Sequence, residues 1–358
     1  MRMQHGLLPA EYFWREHQTW LADEGYMLRP RYREDWMPSW LNTKKNSWKC
    51  EDSRCIPLPV TMDATRLSDG RIVSLKQVKK SEHPIEDQII RFFSEEPIAS
   101  DLRNHCVPLY DVLQSPRNED IMFLVMPHLV RIQKYKFSTV GEALECFRQL
   151  FEGLQFMHSH LIAHCDIQHV NAMMHPTPLL SEIAHPTKPH RSYDFRRKVR
   201  EYTRTERPTR YYIIDFGLSR RFFPGDNFIA PTNFGGDGTV PEYKDPSGMS
   251  NPFPIDVYHL GNMIKTHYMQ KSYSLNFMRP LLEDMTQTDP EKRPTIVEAA
   301  ARFDKLCMSL STWKLRSRFV YRNEFFVARV YRACRHVVRT FSYVAHGIPA
   351  LPTPSPAA

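Results

Sequence analysis

Strand signals fill the first part of the chain and helix signals the remainder. This order predicts an α+β protein, a small β-rich lobe followed by a large helical lobe. Two stretches carry the prediction. In DATRLSDGRIVSLKQVKK, Asp69-Gly70 is a turn dipeptide between two short apolar runs, the signature of a β-hairpin. In GEALECFRQLFEGLQFMHSHL, Leu144, Phe147, Leu150, Phe151, Leu154 and Met157 recur at helical spacing and make one apolar face.

The elements follow in chain order. Residues 1–55 are rich in Trp, Arg and Pro, keep no sustained period, and read as an extended arm that docks its aromatics on a folded body. Residues 56–129 hold the hairpin, a helix in EDQIIRFFSEE (Ile89, Ile90 and Phe93 inward) and a buried strand, IMFLVMPHL, closed by Pro127. Residues 130–312 form the helical lobe, interrupted at 175–209 by a basic, Pro- and His-containing insertion that reads as a surface excursion. Residues 313–358 read as a basic amphipathic helix and a disordered tail, IPALPTPSPAA. In that helix Phe326, Val330, Cys334, Val337 and Phe341 share one face, and arginines dominate the rest. Packing of this helix on the helical lobe is the expected use, and contact with an anionic membrane surface the exception.

Composition excludes several classes. Among 358 residues, 42% are apolar and 25% charged, which supports a sizeable core and argues against wholesale disorder. A net charge of +8 suits an anionic ligand but is mild for this length, so no nucleic-acid partner is expected. The seven cysteines form no C-x-x-C pair, so zinc and thioredoxin chemistry are poor fits and reduced thiols the better one. The first twenty residues lack the apolar run of a signal peptide and no window of about 18 apolar residues occurs, so a cytoplasmic or nuclear location is expected.

Chemistry-bearing residues then fall in a fixed order. IVSLK puts Lys76 at a strand end, and HPIEDQII puts Glu86 early in the next helix. HCDIQHVN carries Asp166, Gln168 and Asn171, and YYIIDFGLS carries Asp215 after an apolar strand. TVPE ends in Glu242, IDVYHLG carries Asp256, and TDPEKRPT supplies Arg293. Each fragment alone is weak; their order on a strand-then-helix background is specific. The chain resembles the protein-kinase family from roughly Asp63 to Leu310, and more narrowly the divergent kinase-like proteins of mushroom-forming fungi.

The resemblance implies a bilobal protein-kinase-like fold, ATP and Mg2+ as cofactors, a protein substrate, and a role for each matched residue. Lys76 would hold the α- and β-phosphates. Glu86 would pair with it, although ten residues is a short separation, so either the helix starts abruptly or Glu86 is not the partner. Asn171 and Asp215 match the magnesium ligands, oxygen donors suited to a hard cation. Asp166 matches the carboxylate that accepts the substrate hydroxyl's proton, beside Gln168. Met126 would guard the back of the adenine pocket and Leu129 would offer it a backbone N–H. Glu242, Arg293 and Asp256 match structural positions, and His164 a packing histidine.

Four departures bear on activity. KCEDSRCIPLPVTMDA, where phosphates should be cradled, has no glycine, and glycine is what lets backbone N–H groups approach a nucleotide. Losing one or two charge-assisted hydrogen bonds at about 1.5–3 kcal/mol each weakens nucleotide binding by roughly ten- to ten-thousandfold. Cys165 replaces the Arg that clamps a phosphorylated activation segment. Gln168 stands in place of a Lys and lacks its charge. Gly235 takes the place of the Thr expected before the TVPE motif. The reading is an ATP- and Mg-dependent protein kinase, serine/threonine-directed, with a pseudokinase scaffold as the alternative.

Overall fold

The computed structural model describes residues 6–55, 59–232 and 236–354. The chain divides into two compact units, Met1–Asp87 with Pro108–Leu129 and Leu180–Glu201, and Gln88–Val107 with Val130–Leu179 and Tyr202–Ala358.

The first unit is built on a five-stranded antiparallel sheet. Its strands are β1 (Tyr26–Leu28), β2 (Thr61–Arg66), β3 (Ile72–Lys79), β4 (Asp111–Gln114) and β5 (Ile121–Pro127), in the order β1-β2-β3-β5-β4. The Asp69-Gly70 turn joins β2 to β3, and Gly70 takes a φ of +68°, open to glycine without steric cost. One sheet face buries Met62, Ala64, Val73, Leu75, Phe123 and Val125 against Trp14 and Leu21.

Those last two residues lie on a helix, α1 (Pro9–Asp23), and β1 extends the sheet from the segment that follows. The N-terminal residues therefore do not form an extended arm; helix and strand are integral to the first unit. Sequence periodicity misses α1 because its buried face alternates apolar Trp14 and Leu21 with Glu11 and His17. Beyond local bonds to the Leu8 N–H and the Phe13 carbonyl, Glu11 is paired with Arg31 and Tyr32, and His17 with Ser115, all outside the helix.

With β1 in place, the connection to β2 runs over residues 29–60, and it contains no glycine. Arg31 ties it down through Glu11 and the Asp52 carbonyl, while Asp52 accepts from Trp36 Nε1 and from the Ser39 N–H and hydroxyl. Part of the insertion belongs to this unit as well. Ala184–His185 pairs with Lys188–Ser192, and fully buried His185 contacts Glu51 and Arg29. The insertion is thus anchored instead of being a surface excursion, and its anchors are polar, which is why no apolar period marks it.

In the second unit, α3 (Val140–Ser159) is the central helix. Thr139 caps it by accepting from the Glu142 N–H. Its buried face includes Phe147, Leu150, Phe151 and Leu154, with Phe151 stacked on Phe303 at 4.8 Å. Phe303 lies on α6 (Ile296–Ser309), which follows α4 (Pro252–Ile264) and α5 (Arg279–Met285) and precedes α7 (Thr312–Arg316) and α8 (Phe326–Ala345). Helix α2 (Glu86–Ser94) begins in the first unit and buries Ile89, Ile90 and Phe93. A small sheet, β6 (Val130–Arg131), β7 (Ala172–Met174) and β8 (Tyr211–Ile213), runs in the order β8-β7-β6. The end of the insertion is fastened here, where buried Arg204 donates to the carbonyls of Ile132, Tyr135 and Lys136.

The tail expected to be disordered is packed as far as it is described. The Ile348 carbonyl accepts from Arg316, Thr353 reaches Glu145, and Pro352 is buried. Among the described residues no helix is long and apolar enough to cross a membrane.

Candidate active site

Each unit positions part of the residue set. In the first, Lys76 sits on β3 opposite Thr61 on one side and Leu124 on the other. Its ammonium donates to the carboxylate of Glu86, which is buried. The short separation is explained by a tight turn. His83 N–H bonds the Lys79 carbonyl and Glu86 N–H the His83 carbonyl, so α2 begins at Glu86 itself. Half-buried Met126 lies opposite Ser74 on β5, and buried Leu129 follows the strand's end at Pro127.

In the second unit, the loop from His164 to Asn171 enters β7. Two backbone N–H groups, of His164 and Cys165, donate to the Asp256 carboxylate at 2.7 Å each, and His158 Nε2 bonds it at 2.9 Å. Burial alone would raise the Asp256 carboxyl. The hydrogen bond and charge of His158, with His164 and His259 behind it, outweigh burial and hold the carboxyl below the ordinary value. His164 Nδ1 accepts from the Asp166 N–H at 3.1 Å, so its Nε2 carries the proton and donates to the Ile214 carbonyl at 3.0 Å. That ring couples the two segments bearing Asp166 and Asp215. Cys165, with a φ of +66°, is buried, and burial pushes its thiol well above the usual value. It is no nucleophile.

Asp166 is the focus of donors. Gln168 Nε2 reaches both its oxygens at 3.0 and 2.9 Å, and Asn171 Nδ2 lies 2.8 Å from Oδ2. The Gly236 N–H adds a bond to Oδ1 at 2.8 Å. A Cβ at Gly236 would come within 2.3–2.7 Å of the Gln168 amide, so any larger residue would push that flexible side chain aside. Gly235 lies outside the described residues. Thr239 bonds Asp237 and Tyr258.

Asn171 is the residue before β7, and Asp215 lies two residues past β8, so the pairing of Ala172 with Ile213 sets their separation. The Ile214 N–H bonds the Asn171 carbonyl at 3.0 Å. Asp215 has a φ of +71°, a left-handed conformation costly for a residue other than glycine and typical of functional sites. Asn171 commits its amide nitrogen to Asp166, which leaves the amide oxygen as its end for a cation. A carboxylate and an amide oxygen are hard donors of the kind Mg2+ takes, so Asn171 and Asp215 would fit such an ion. Among the described residues no group of three or more His, Cys, Asp or Glu would hold a metal by itself.

Below this loop, Arg293 and Glu242 form a bidentate pair at 2.6 and 2.7 Å, with the guanidinium fully buried. Arg293 also donates to the carbonyls of Gln287 and Pro254. Sequence reasoning did not find His158 or the Gly236 N–H. The first sits on a helix among other histidines, and the second is a backbone group with no side-chain signal.

Compared with known families, residues 60–274 match the protein kinase domain. That is more than half the chain, and the chain belongs to this family. Over 55 residues it is 51% identical to the "Probable serine/threonine-protein kinase KKQ8" of Candida glabrata, covering 14% of this chain and 7% of that protein. Over 51 residues it is 47% identical to the "Probable serine/threonine-protein kinase HAL5-like" of Vanderwaltozyma polyspora, covering 13% of this chain and 7% of that protein. The chain therefore spans only a small fraction of the length of these curated relatives.

Proposed function

We propose that the protein is an ATP- and Mg2+-dependent protein kinase directed at serine or threonine hydroxyls. The observation that carries the reading is the Asp166 cluster, in which a half-buried carboxylate is oriented by Gln168 and Asn171. A carboxylate so held is a general base with its lone pairs aimed; it takes the acceptor hydroxyl's proton as the hydroxyl oxygen bonds the γ-phosphorus and the bond from that phosphorus to the β,γ-bridging oxygen breaks, releasing ADP. Lys76, fixed by Glu86, holds the α- and β-phosphates, with Met126 and Leu129 at the adenine. Asn171 and Asp215 hold the metal, which when bound neutralises phosphate charge. Serine/threonine preference is supported by the names of the two yeast relatives matched over short stretches. The narrower likeness to kinase-like proteins of mushroom-forming fungi belongs to the same proposal.

A second reading, a pseudokinase scaffold, is favoured by one observation. The 29–60 connection has no glycine, and within its described residues Arg31 and Asp52 tie it down; residues 56–58, in the stretch where phosphates should be cradled, lie outside the described residues. One experiment separates the two. MgATP is titrated against melting temperature, then phosphate transfer to a generic basic protein is measured for wild type and Asp166→Ala. Stabilisation with transfer that vanishes in the variant supports the kinase. Stabilisation without transfer supports the scaffold, and transfer that survives in the variant removes Asp166 from its role.

A further inference from the structure

Helix α8 is packed inside out. At about 100° per residue, Phe326, Val330, Val337, Phe341 and Val344 fall on one narrow arc, with Val327 and Val338 beside it. All are exposed, Phe326 at 79%, Phe341 at 73% and Val338 at 70%. The face turned toward the helical unit is polar. Arg332 donates to Glu324 at 2.8 Å, the Tyr343 hydroxyl bonds Thr203 at 2.8 Å, and His336 and Thr340 lie between them. The helix is thus fastened by its hydrophilic side, against the sequence expectation that its apolar side packs on the lobe. Beneath its C-terminal half a groove of about 340 Å³ continues the apolar surface to exposed Trp313.

An apolar face of this extent on a folded chain marks an interaction surface. Its borders identify the occupant. Exposed Arg329 and Arg335 flank the apolar arc on opposite sides, and the helix contains no Asp or Glu. Two copies meeting face to face would bring like arginine borders together with no acid on either helix to offset them. An anionic lipid surface answers both features, accepting the apolar arc between headgroups and pairing with the flanking guanidinia, since arginine stems tolerate apolar surroundings while the charged head stays at the interface. Exposed Trp313 and Tyr331 are suited to the same interfacial depth.

We propose that α8, with Trp313, is a peripheral docking surface for an anionic membrane. It lies beyond the kinase-domain match, which ends at residue 274, and is independent of whether phosphate transfer occurs. The full chain is co-sedimented with vesicles of phosphatidylcholine alone and of phosphatidylcholine mixed with phosphatidylserine. Recovery is expected with the mixed vesicles only and should fall as salt rises. Val338→Asp with Phe341→Asp should cut it at least about tenfold. Arg329→Gln with Arg335→Gln should weaken it and flatten its salt dependence. Melting temperatures should stay at the wild-type value, because all four side chains are exposed. Equal recovery of wild type and Val338→Asp/Phe341→Asp, or no recovery with either vesicle, overturns the proposal. So does a dimer in sedimentation equilibrium that Phe341→Asp dissociates, or an acidic protein that competes wild type off the vesicles through this face.

Discussion

Two carboxylates, Asp63 in the first unit and Asp166 in the second, are held in opposite ways. Asp63 is sealed. Its Oδ2 lies 3.1 Å from Arg29 Nε and accepts from the Tyr193 hydroxyl, and both ion-pair side chains are at most 2% exposed. Arg29 also reaches Glu51 and the Arg54 carbonyl at 2.9 Å, so one guanidinium fastens β2, the 29–60 connection and the insertion together. Asp166 is half-buried, and among the described residues its donors are two side-chain amides and a backbone N–H, all neutral. Sealed charge holds a shape, whereas open charge held by neutral donors stays available to a reacting proton.

The comparison breaks if the two carboxylates respond alike to substitution. Asp166→Asn should lower transfer by about 10²–10⁴-fold while leaving the melting temperature near wild type, since a general base is lost and no buried charge is stranded. Asp63→Ala should do the reverse, destabilising the fold by up to about 3–5 kcal/mol, because the buried Arg29 guanidinium loses the fully buried one of its two carboxylates and keeps only the more exposed Glu51. Urea unfolding of both variants beside transfer assays tests the pair. A stable Asp63→Ala protein would show that the Arg29 cluster is not what closes the first unit.

Much of this was readable in the sequence, and what was not has a common cause. The Asp69-Gly70 hairpin, α3 and the chemistry-bearing motifs were legible because apolar spacing or a fixed order of charged residues encodes them locally. Helix α1 was not, because Glu11 and His17 are buried against partners far along the chain. The insertion escaped for the same reason, with His185, Tyr193 and Arg204 as polar anchors. Helix α8 shows a further limit. Its amphipathic period was plain, yet periodicity defines a face and says nothing of which neighbour that face meets. Gly236 left no trace, since any residue's backbone N–H looks the same in sequence.

The sealed cluster also predicts a pH response of definite sign. Burial would raise the Glu51 carboxyl, but the His185 hydrogen bond and the Arg29 charge outweigh it and hold it below its ordinary value. A folded-state pKa below the unfolded one, about 4.3 for Glu, adds stability that is complete above that value and disappears as pH falls through the folded-state pKa. Asp256, also held low, contributes with the same sign. The share of stability carried by these two carboxyls should therefore be complete above about pH 5 and lost below about pH 4. In melting temperature against pH, Glu51→Gln should shed part of that loss; a variant with the wild-type acid slope would remove Glu51 from the account.

The smallest effect is the sharpest test of the open carboxylate. Gln168 contributes two contacts to Asp166, at 3.0 and 2.9 Å, but Asn171 and the Gly236 N–H remain when it is gone. Gln168→Ala should therefore cost less than the 10²–10³ typical of a lost transition-state donor. Gln168→Lys keeps a donor and adds the charge that serine/threonine kinases place near the transferred phosphoryl, so under the proposed function its kcat should equal or exceed wild type. If the amide instead serves only to hold the loop, both substitutions should lower kcat equally. The lysine variant would then gain nothing from its charge, and Gln168 would be packing for the loop instead of orientation for the base.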